Sequence, residues 1–215
     1  MEKKSEIIQA ALQVFSVEGF NGASLSKIAE LAGTNKQLIN HHFGSKRNLW
    51  QEVVDHELQD GVELIRRVRE VERSDGPLPA LIQFIEEYVV WVSTKTAFQM
   101  LMLFEGQQET ERVEWFKREH FLPSAKTVMR LISSCQDIGA VKQGDAGMLY
   151  FTALHMGNAP FISAVQYRLM VKQDPMSEAE ISHQQAQIFD YLGLSGSRSS
   201  IRMAKAENAS HLAVG

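Results

Sequence analysis

Three side chains that can hydrogen-bond to nucleic-acid bases lie close together near the N-terminus: Lys36, Gln37 and Asn40. Leu38 and Ile39 supply an inward apolar side, which leaves the three polar residues on the outer side of a short helix. Glutamine and asparagine amides can bond N6 and N7 of adenine, and lysine can bond O6 and N7 of guanine. The pattern predicts a helix that reads base edges in the major groove; an ordinary solvated helix surface is the other interpretation.

Two short helices and a tight turn must hold these side chains in place. Ser24 or Ser26 can cap the first helix, and Thr34 or Asn35 can cap the second. Gly33 follows the last apolar position of the first helix, where a left-handed residue is expected. That helix has apolar residues at i, i+3, i+4 and i+7, namely Leu25, Ile28, Ala29 and Ala32. The segment 24–43 is therefore predicted to be a helix-turn-helix motif.

Other polar residues of this segment would position the motif on DNA without reading its sequence. The candidates for phosphate contacts are Ser24, Ser26, Lys27, Thr34, His41 and Lys46, and Asn35 belongs to the same predicted surface. His42 and Phe43 are expected to pack inside the domain instead. Lys46 and Arg47 stand in the first turn of the next helix, where cations oppose the helix dipole unless a phosphate lies nearby.

Residues 5–55 resemble the DNA-binding domain of TetR-type transcriptional regulators. The matching positions are Gly19-Phe20, Ser24, Ile28-Ala29, Ala32-Gly33, His42-Phe43, Lys46 and Leu49. Three positions depart from the family pattern: Thr34 replaces the usual Val, Asn35 the usual Ser, and Asn40 a common DNA-contacting Tyr. The first two residues can still cap and turn, whereas Asn40 offers an amide in place of an aromatic phosphate contact.

The resemblance implies an all-α protein of about nine helices. A three-helix DNA-binding domain would occupy residues 1–48, a ligand-binding and dimerisation domain 49–194, and a flexible tail 195–215. A long helix from Lys46 to about Arg73 would join the two domains. Helices 145–171 and 177–192 would form the homodimer surface, with Gly157, Ala159 and Ala164 permitting close approach. Such a dimer would bind double-stranded DNA at a palindromic operator.

The middle helices are rich in aromatic and methionine residues, which can line a cavity for a small apolar or aromatic effector. The predicted ligand-binding residues are Tyr88, Trp91, Phe98, Met102, Trp115, Phe116, Phe151 and His155. Polar anchors could come from His155, Gln99, Gln107 or Glu105. The alternative is that these side chains simply fill a core. By analogy with the family, a ligand would move the 46–73 helix and weaken operator binding.

Composition agrees with a small regulator. The 215 residues are 44% hydrophobic, which supports a packed core. The net charge is −4, yet residues 1–50 carry six Lys/Arg and four acids. A basic N-terminal part and an acidic remainder let the N-terminal part approach phosphate. The charged N-terminus predicts no signal peptide, and no apolar run is long enough to span a membrane, so a cytoplasmic protein without membrane contact is expected.

Enzymatic chemistry is the main rival function, and the sequence does not favour it. A phosphate loop, Gly-x-Ser-x-Gly, His-Glu-x-x-His and a cysteine pair are all missing from the printed sequence. His41 and His42 would point about 100° apart on a helix, and the lone Cys135 lies in an apolar pattern, so neither a metal site nor a cofactor is expected.

A further alternative is a DNA-binding regulator controlled by a protein partner through segment 105–121, or an activator.

Overall fold

Every regular element in the described part of the chain, residues 2–194 and 196, is helical in the computed structural model. The α-helices are α1 Glu2–Gly22, α2 Leu25–Leu31, α3 Lys36–Phe43, α4 Lys46–Asp75, α5 Pro77–Ser93, α6 Thr96–Glu105, α7 Glu111–Phe116, α8 Leu122–Asp137, α9 Ala146–Ile162, α10 Ala164–Val171 and α11 Glu178–Leu192. A π-helical turn, Lys117–Phe121, lies between α7 and α8.

The all-α prediction is confirmed. The predicted tail lies outside the described residues except for residue 196. No described helix combines the length and apolar character needed to cross a membrane.

The chain divides into two compact units. The first contains residues up to Val62 together with Thr94–Pro123, and the second contains Glu63–Ser93 together with the residues from Ser124 onward. The first unit is thus larger than the predicted 1–48 domain, because it includes the first half of α4 and the segment with α6 and α7. The functional division of the chain at residue 48 stays a prediction.

The first unit is built around α1, which packs against α2 and along α6. Ile7, Ala11 and Phe15 form the fully buried stripe of α1. Gly19 interrupts the helix with φ 65° and ψ 173°, a conformation that glycine adopts at little steric cost. The chain therefore changes direction at Phe20, before α2 begins.

In the second unit, α5, α9 and α11 pack against one another. Side-chain caps begin two of these helices: Asp145 accepts a hydrogen bond from the N–H of Met148, and Ser177 accepts one from the N–H of Glu180. The segment 145–171, which the sequence predicts to be one helix, is divided in two. The helix α9 ends at Ile162, and after Ser163 a separate α10 follows.

Candidate nucleic-acid interface

Ser24, one of the two serines predicted as a cap, is the N-cap of α2. The hydroxyl of Ser24 accepts a hydrogen bond from the N–H of Lys27 at 3.2 Å, which satisfies one of the free donors at the helix start. At the other end Gly33 has φ +57°, and the N–H of Thr34 bonds the carbonyl of Ala29 at 2.8 Å. This closing pattern ends α2 and directs the chain into α3.

The helix α3 has one buried and one exposed side. Asn35 caps it by accepting a hydrogen bond from the N–H of Leu38 at 2.9 Å, and Ile39 and Phe43 are buried. Four exposed side chains of α3 are predicted to contact DNA: Lys36, Gln37, Asn40 and His41. Those four side chains are therefore available to a groove of DNA.

The end of α3 departs from expectation at one residue. Gly44, with φ +75°, terminates the helix, and Ser45 caps α4 by accepting a hydrogen bond from the N–H of Asn48 at 3.1 Å. Phe43 is buried as predicted, but His42 is exposed, so its predicted packing role is wrong. Phe43 alone of the pair reaches the core, because adjacent residues on a helix point about 100° apart.

Two cations among residues 24–47, the predicted phosphate contact Lys27 and Arg47, which follows Lys46, are paired with carboxylates. The ammonium of Lys27 forms an ion pair with Glu18 of α1, and the guanidinium of Arg47 lies 2.5 Å from a carboxylate oxygen of Glu111. Exposed ion pairs contribute little to stability. A phosphate can therefore replace either carboxylate at small energetic cost.

Lys46 is a half-buried cation that holds the chain between α1 and α2. Its Nζ donates to the carbonyl of Phe20 at 2.7 Å and to that of Ala23 at 2.8 Å, and it lies 4.5 Å from the centre of the Phe20 ring. Burial, and then the positive charge of Arg112, lower the pKa of Lys46. An ammonium has three N–H donors, so one remains for a phosphate.

The structure brings most of the ten predicted DNA-contacting residues onto the exposed surface of one segment. Those that are exposed are Ser24, Ser26, Lys27, Asn35, Lys36, Gln37, Asn40 and His41, whereas Thr34 and Lys46 are half-buried. Ser24 and Asn35 use their side chains as helix caps. Their assignment as DNA contacts stays a prediction. Sequence reasoning missed Arg112, whose charge acts on Lys46 and which no local pattern connects to position 46.

The second unit contains a small apolar cavity. Its lining consists of Leu81, Phe84, Ile85, Tyr88, Val128, Ile132, Tyr150, Ala153, Leu154, Ile188 and Leu192. The space open to the centre of a water-sized sphere is about 10 Å³, roughly what one water molecule requires. The hydroxyl of Tyr88 donates to Oδ1 of Asn158 at 2.7 Å. Burial raises the pKa of Tyr88 well above its usual range and that of Tyr150 to about 12, so both phenols are neutral.

Among the eight predicted ligand residues, Tyr88 and Trp91 are neighbours in the second unit, with ring centres 6.1 Å apart. Tyr88 is the one among them that lines this cavity. Phe98, Met102, Trp115 and Phe116 belong to the first unit. Phe151 and His155 are exposed on α9, where their rings lie 4.1 Å apart. Whether any of them contacts an effector stays a prediction.

Comparisons with known proteins address the N-terminal part most directly. Residues 7–53 match the sequence model of the bacterial regulatory proteins of the tetR family. The chain is 33% identical over 88 residues to the HTH-type transcriptional repressor NicS of Pseudomonas putida, which is 40% of this chain and 42% of NicS. It is 37% identical over 83 residues to the HTH-type transcriptional regulator RutR of Escherichia coli, or 39% of this chain and 38% of RutR. The chain thus matches about two fifths of the length of these curated relatives.

A likeness of fold extends over most of the chain. The crystal structure of AibR in complex with isovaleryl coenzyme A and operator DNA superimposes with a TM-score of 0.71. The superposition covers 89% of this chain and 98% of AibR at 14% sequence identity, which shows a shared fold. With its capped helix-turn-helix segment and its match over residues 7–53, the N-terminal part of the chain is similar to the bacterial regulatory proteins of the tetR family, and most of the chain shares the fold of AibR.

Proposed function

We propose that this chain is a dimeric, sequence-specific DNA-binding regulator of transcription. It binds a palindromic operator and represses its target genes until a small apolar or aromatic molecule releases it from the DNA. The observation that carries the proposal is the exposed side of α3, where Lys36, Gln37 and Asn40 are free of the core while Ile39 and Phe43 anchor the helix. The similarity to NicS, a repressor by its name, supports the direction of regulation.

Selection of genomic fragments tests DNA recognition. The purified full chain is mixed with fragmented DNA from its source organism at physiological salt, and the bound fragments are sequenced. We expect a near-palindrome whose half-sites are about one helical turn apart. Recovery of fragments without a common sequence, bound in a strongly salt-sensitive way, would contradict the proposal.

The residues that read the sequence are tested on the selected DNA. Gln37→Ala should cost about 1–3 kcal/mol of binding free energy on the operator and little on a shuffled duplex. Gln13→Ala removes an exposed glutamine from α1 and serves as the matched control. Equal losses on both duplexes for Gln37→Ala would remove the base-reading role from this residue.

An apolar surface on α9 supports the dimer. Met148 and Phe151 are 62% and 56% exposed, and exposed apolar patches of this kind commonly mark interaction surfaces. On the neighbouring α11, Ala179 and Ser182 are also exposed. Phe151→Glu should produce a monomer by light scattering and lose operator affinity, whereas Val62→Glu, at an equally exposed apolar position on α4, should remain dimeric.

The apolar cavity supports control by a small molecule. Its lining contains no ionisable group other than two neutral phenols, so an uncharged apolar or aromatic ligand suits it. Because the cavity is nearly filled and drug-sized ligands need about 300–1,000 Å³, binding must displace lining side chains. A thermal-shift screen of neutral aromatic and aliphatic compounds should find stabilising ligands, and those ligands should release the operator. A screen without a hit would favour the partner-controlled alternative.

A further inference from the structure

Arg112 lies outside the segment that matches the family model, yet it contacts Phe20, the residue that follows the kink of α1 at Gly19. Its guanidinium carbon is 3.7 Å from the centre of the Phe20 ring. The ammonium of Lys46 lies 4.5 Å from the centre of the same ring. Cations are attracted to aromatic rings at such distances. The Phe20 side chain is thus held by two cations, and Phe15 stacks on it as well, at 5.9 Å.

Glu105 fixes the position of the guanidinium. The carboxylate of Glu105 is 4% exposed and the side chain of Arg112 is 14% exposed, with 3.1 Å between the Nε of Arg112 and Oε2 of Glu105. A buried pair of this kind is geometrically demanding, and removal of one partner leaves a buried charge without compensation. Arg112 is therefore held firmly in its place against Phe20.

Lys46 connects this cluster to the DNA-binding motif. Two of its donors bond the carbonyls of Phe20 and Ala23. Ala23 immediately precedes Ser24, the cap of α2. A displaced Phe20 ring would move the carbonyl that Lys46 bonds, and with it the ammonium that is predicted to contact a phosphate.

We propose that Arg112 is a positioning residue for DNA binding. Paired with Glu105 and stacked on Phe20, Arg112 fixes the Lys46 ammonium at the two carbonyls that precede α2. There the remaining N–H donor of Lys46 meets a phosphate. The inference rests on the proposed DNA-binding function. It extends the DNA-binding machinery to a residue more than sixty positions away in the sequence.

The test compares Arg112→Met and Lys46→Met, singly and combined, in the full chain. Operator affinity is measured at several salt concentrations. Each single variant should bind about tenfold more weakly, as expected for one charge-assisted contact. Each should also lower the magnitude of the salt slope by about 1. The combined variant should lose no more than Lys46→Met alone, because both changes remove one contact. Arg118→Met, at an exposed arginine paired with its neighbour Glu119, is the matched control and should change neither quantity.

A second readout reports on Lys46 directly. The charge of Arg112 contributes to lowering the pKa of Lys46, so NMR titration of its side chain should show a higher pKa in Arg112→Met and no change in Arg118→Met. If Arg112→Met fails to fold, Glu105→Gln/Arg112→Met removes the uncompensated carboxylate and is held to the same criteria. Wild-type affinity and salt slope in a folded Arg112 variant, or full additivity with Lys46→Met, would overturn the proposal.

The two proposals fail in different ways. If the unchanged protein shows no sequence preference, the proposed function fails. The NMR titration of Lys46 and the salt slope on random DNA then still decide the role of Arg112. A higher pKa of Lys46 together with a smaller salt slope in Arg112→Met supports that role, and unchanged values of both overturn it.

Discussion

A Cβ atom on Gly157 of α9 would lie 2.9 Å from Cε1 of Tyr88 on α5. Such a distance is shorter than van der Waals contact allows, so the two helices approach closely because position 157 has no side chain. The Tyr88 ring cannot easily move aside, since it stacks on Phe84 at 5.4 Å and its hydroxyl bonds Asn158. The expectation that Gly157 serves the dimer surface is therefore wrong: the residue is buried and packs against a helix of its own chain.

Gly157→Ala should lower the free energy of unfolding by about 1–3 kcal/mol, the usual cost of inserting a group into a packed core. Helix propensity alone would favour alanine by about 0.5–1 kcal/mol, so the sign of the change separates the two effects. Chemical denaturation measures it. Adding Tyr88→Leu, which removes the obstructing ring, should make the double variant less destabilised than the sum of the single changes. A Gly157→Ala protein as stable as the original would contradict the close approach.

Asn35 offers a second prediction, which separates a capping role from a DNA contact. Asn35→Ala removes the acceptor for the N–H of Leu38 and should cost about 1 kcal/mol of stability, together with operator affinity. Asn35→Ser restores a good cap with a shorter side chain. If the cap is the main role, serine should recover both the melting temperature and the affinity. Recovery of stability without affinity would instead assign Asn35 a direct contact with DNA.

Local structure was predictable because its causes lie within a few residues of each other. Caps at Ser24 and Asn35 follow from a hydroxyl or amide placed before an apolar period, and the structure shows both. Gly33 follows α2 in the left-handed conformation, again as the pattern indicated. These features need no information about distant parts of the chain.

Tertiary placement of the aromatic residues was not predictable in the same way. An aromatic stripe shows that a helix has an apolar side but not what that side meets. Phe151 is exposed on α9, whereas Trp115 lies edge-on to Trp50 of α4 at 5.9 Å in the first unit. The contact of Arg112 with Phe20 joins residues far apart in sequence, so neither spacing nor composition could have suggested it.

The ion pair between Lys27 and Glu18 leads to a third prediction. Glu18→Gln removes the carboxylate that holds the Lys27 ammonium and should strengthen DNA binding about two- to threefold at low salt, since exposed pairs are worth a few tenths of a kcal/mol. The gain should fall as salt rises, because screening weakens the contact that replaces the pair. Glu30→Gln removes an exposed acid from α2 and controls for the change in net charge. Equal gains for both variants would show that Lys27 is not the cation released.

The pair formed by Glu72 of α4 and Arg130 of α8 supports a prediction of acid sensitivity in the second unit. The Nη2 of Arg130 lies 2.7 Å from Oε2 of Glu72, and this bond holds the pKa of Glu72 below its usual value of 4.5. The unfolded chain therefore binds a proton more readily at this site than the folded chain does. Stability from the pair is fully present above about pH 4.5 and is lost as the pH falls through the lower pKa of the folded state.

Arg130→Met should consequently reduce stability more at pH 6 than at pH 3, because the contribution of the ion pair declines as the pH falls from about 4.5 toward the lowered pKa of Glu72 in the folded chain. Thermal unfolding of the original and variant proteins at the two pH values measures the difference. Because Arg130 is 55% exposed, we expect the loss at pH 6 to stay within about 1 kcal/mol. Lys126→Met removes an exposed cation from the same helix and should show no such pH dependence. If Arg130→Met destabilised the protein equally at both pH values, its effect would come from packing of the arginine side chain and not from the charge of Glu72.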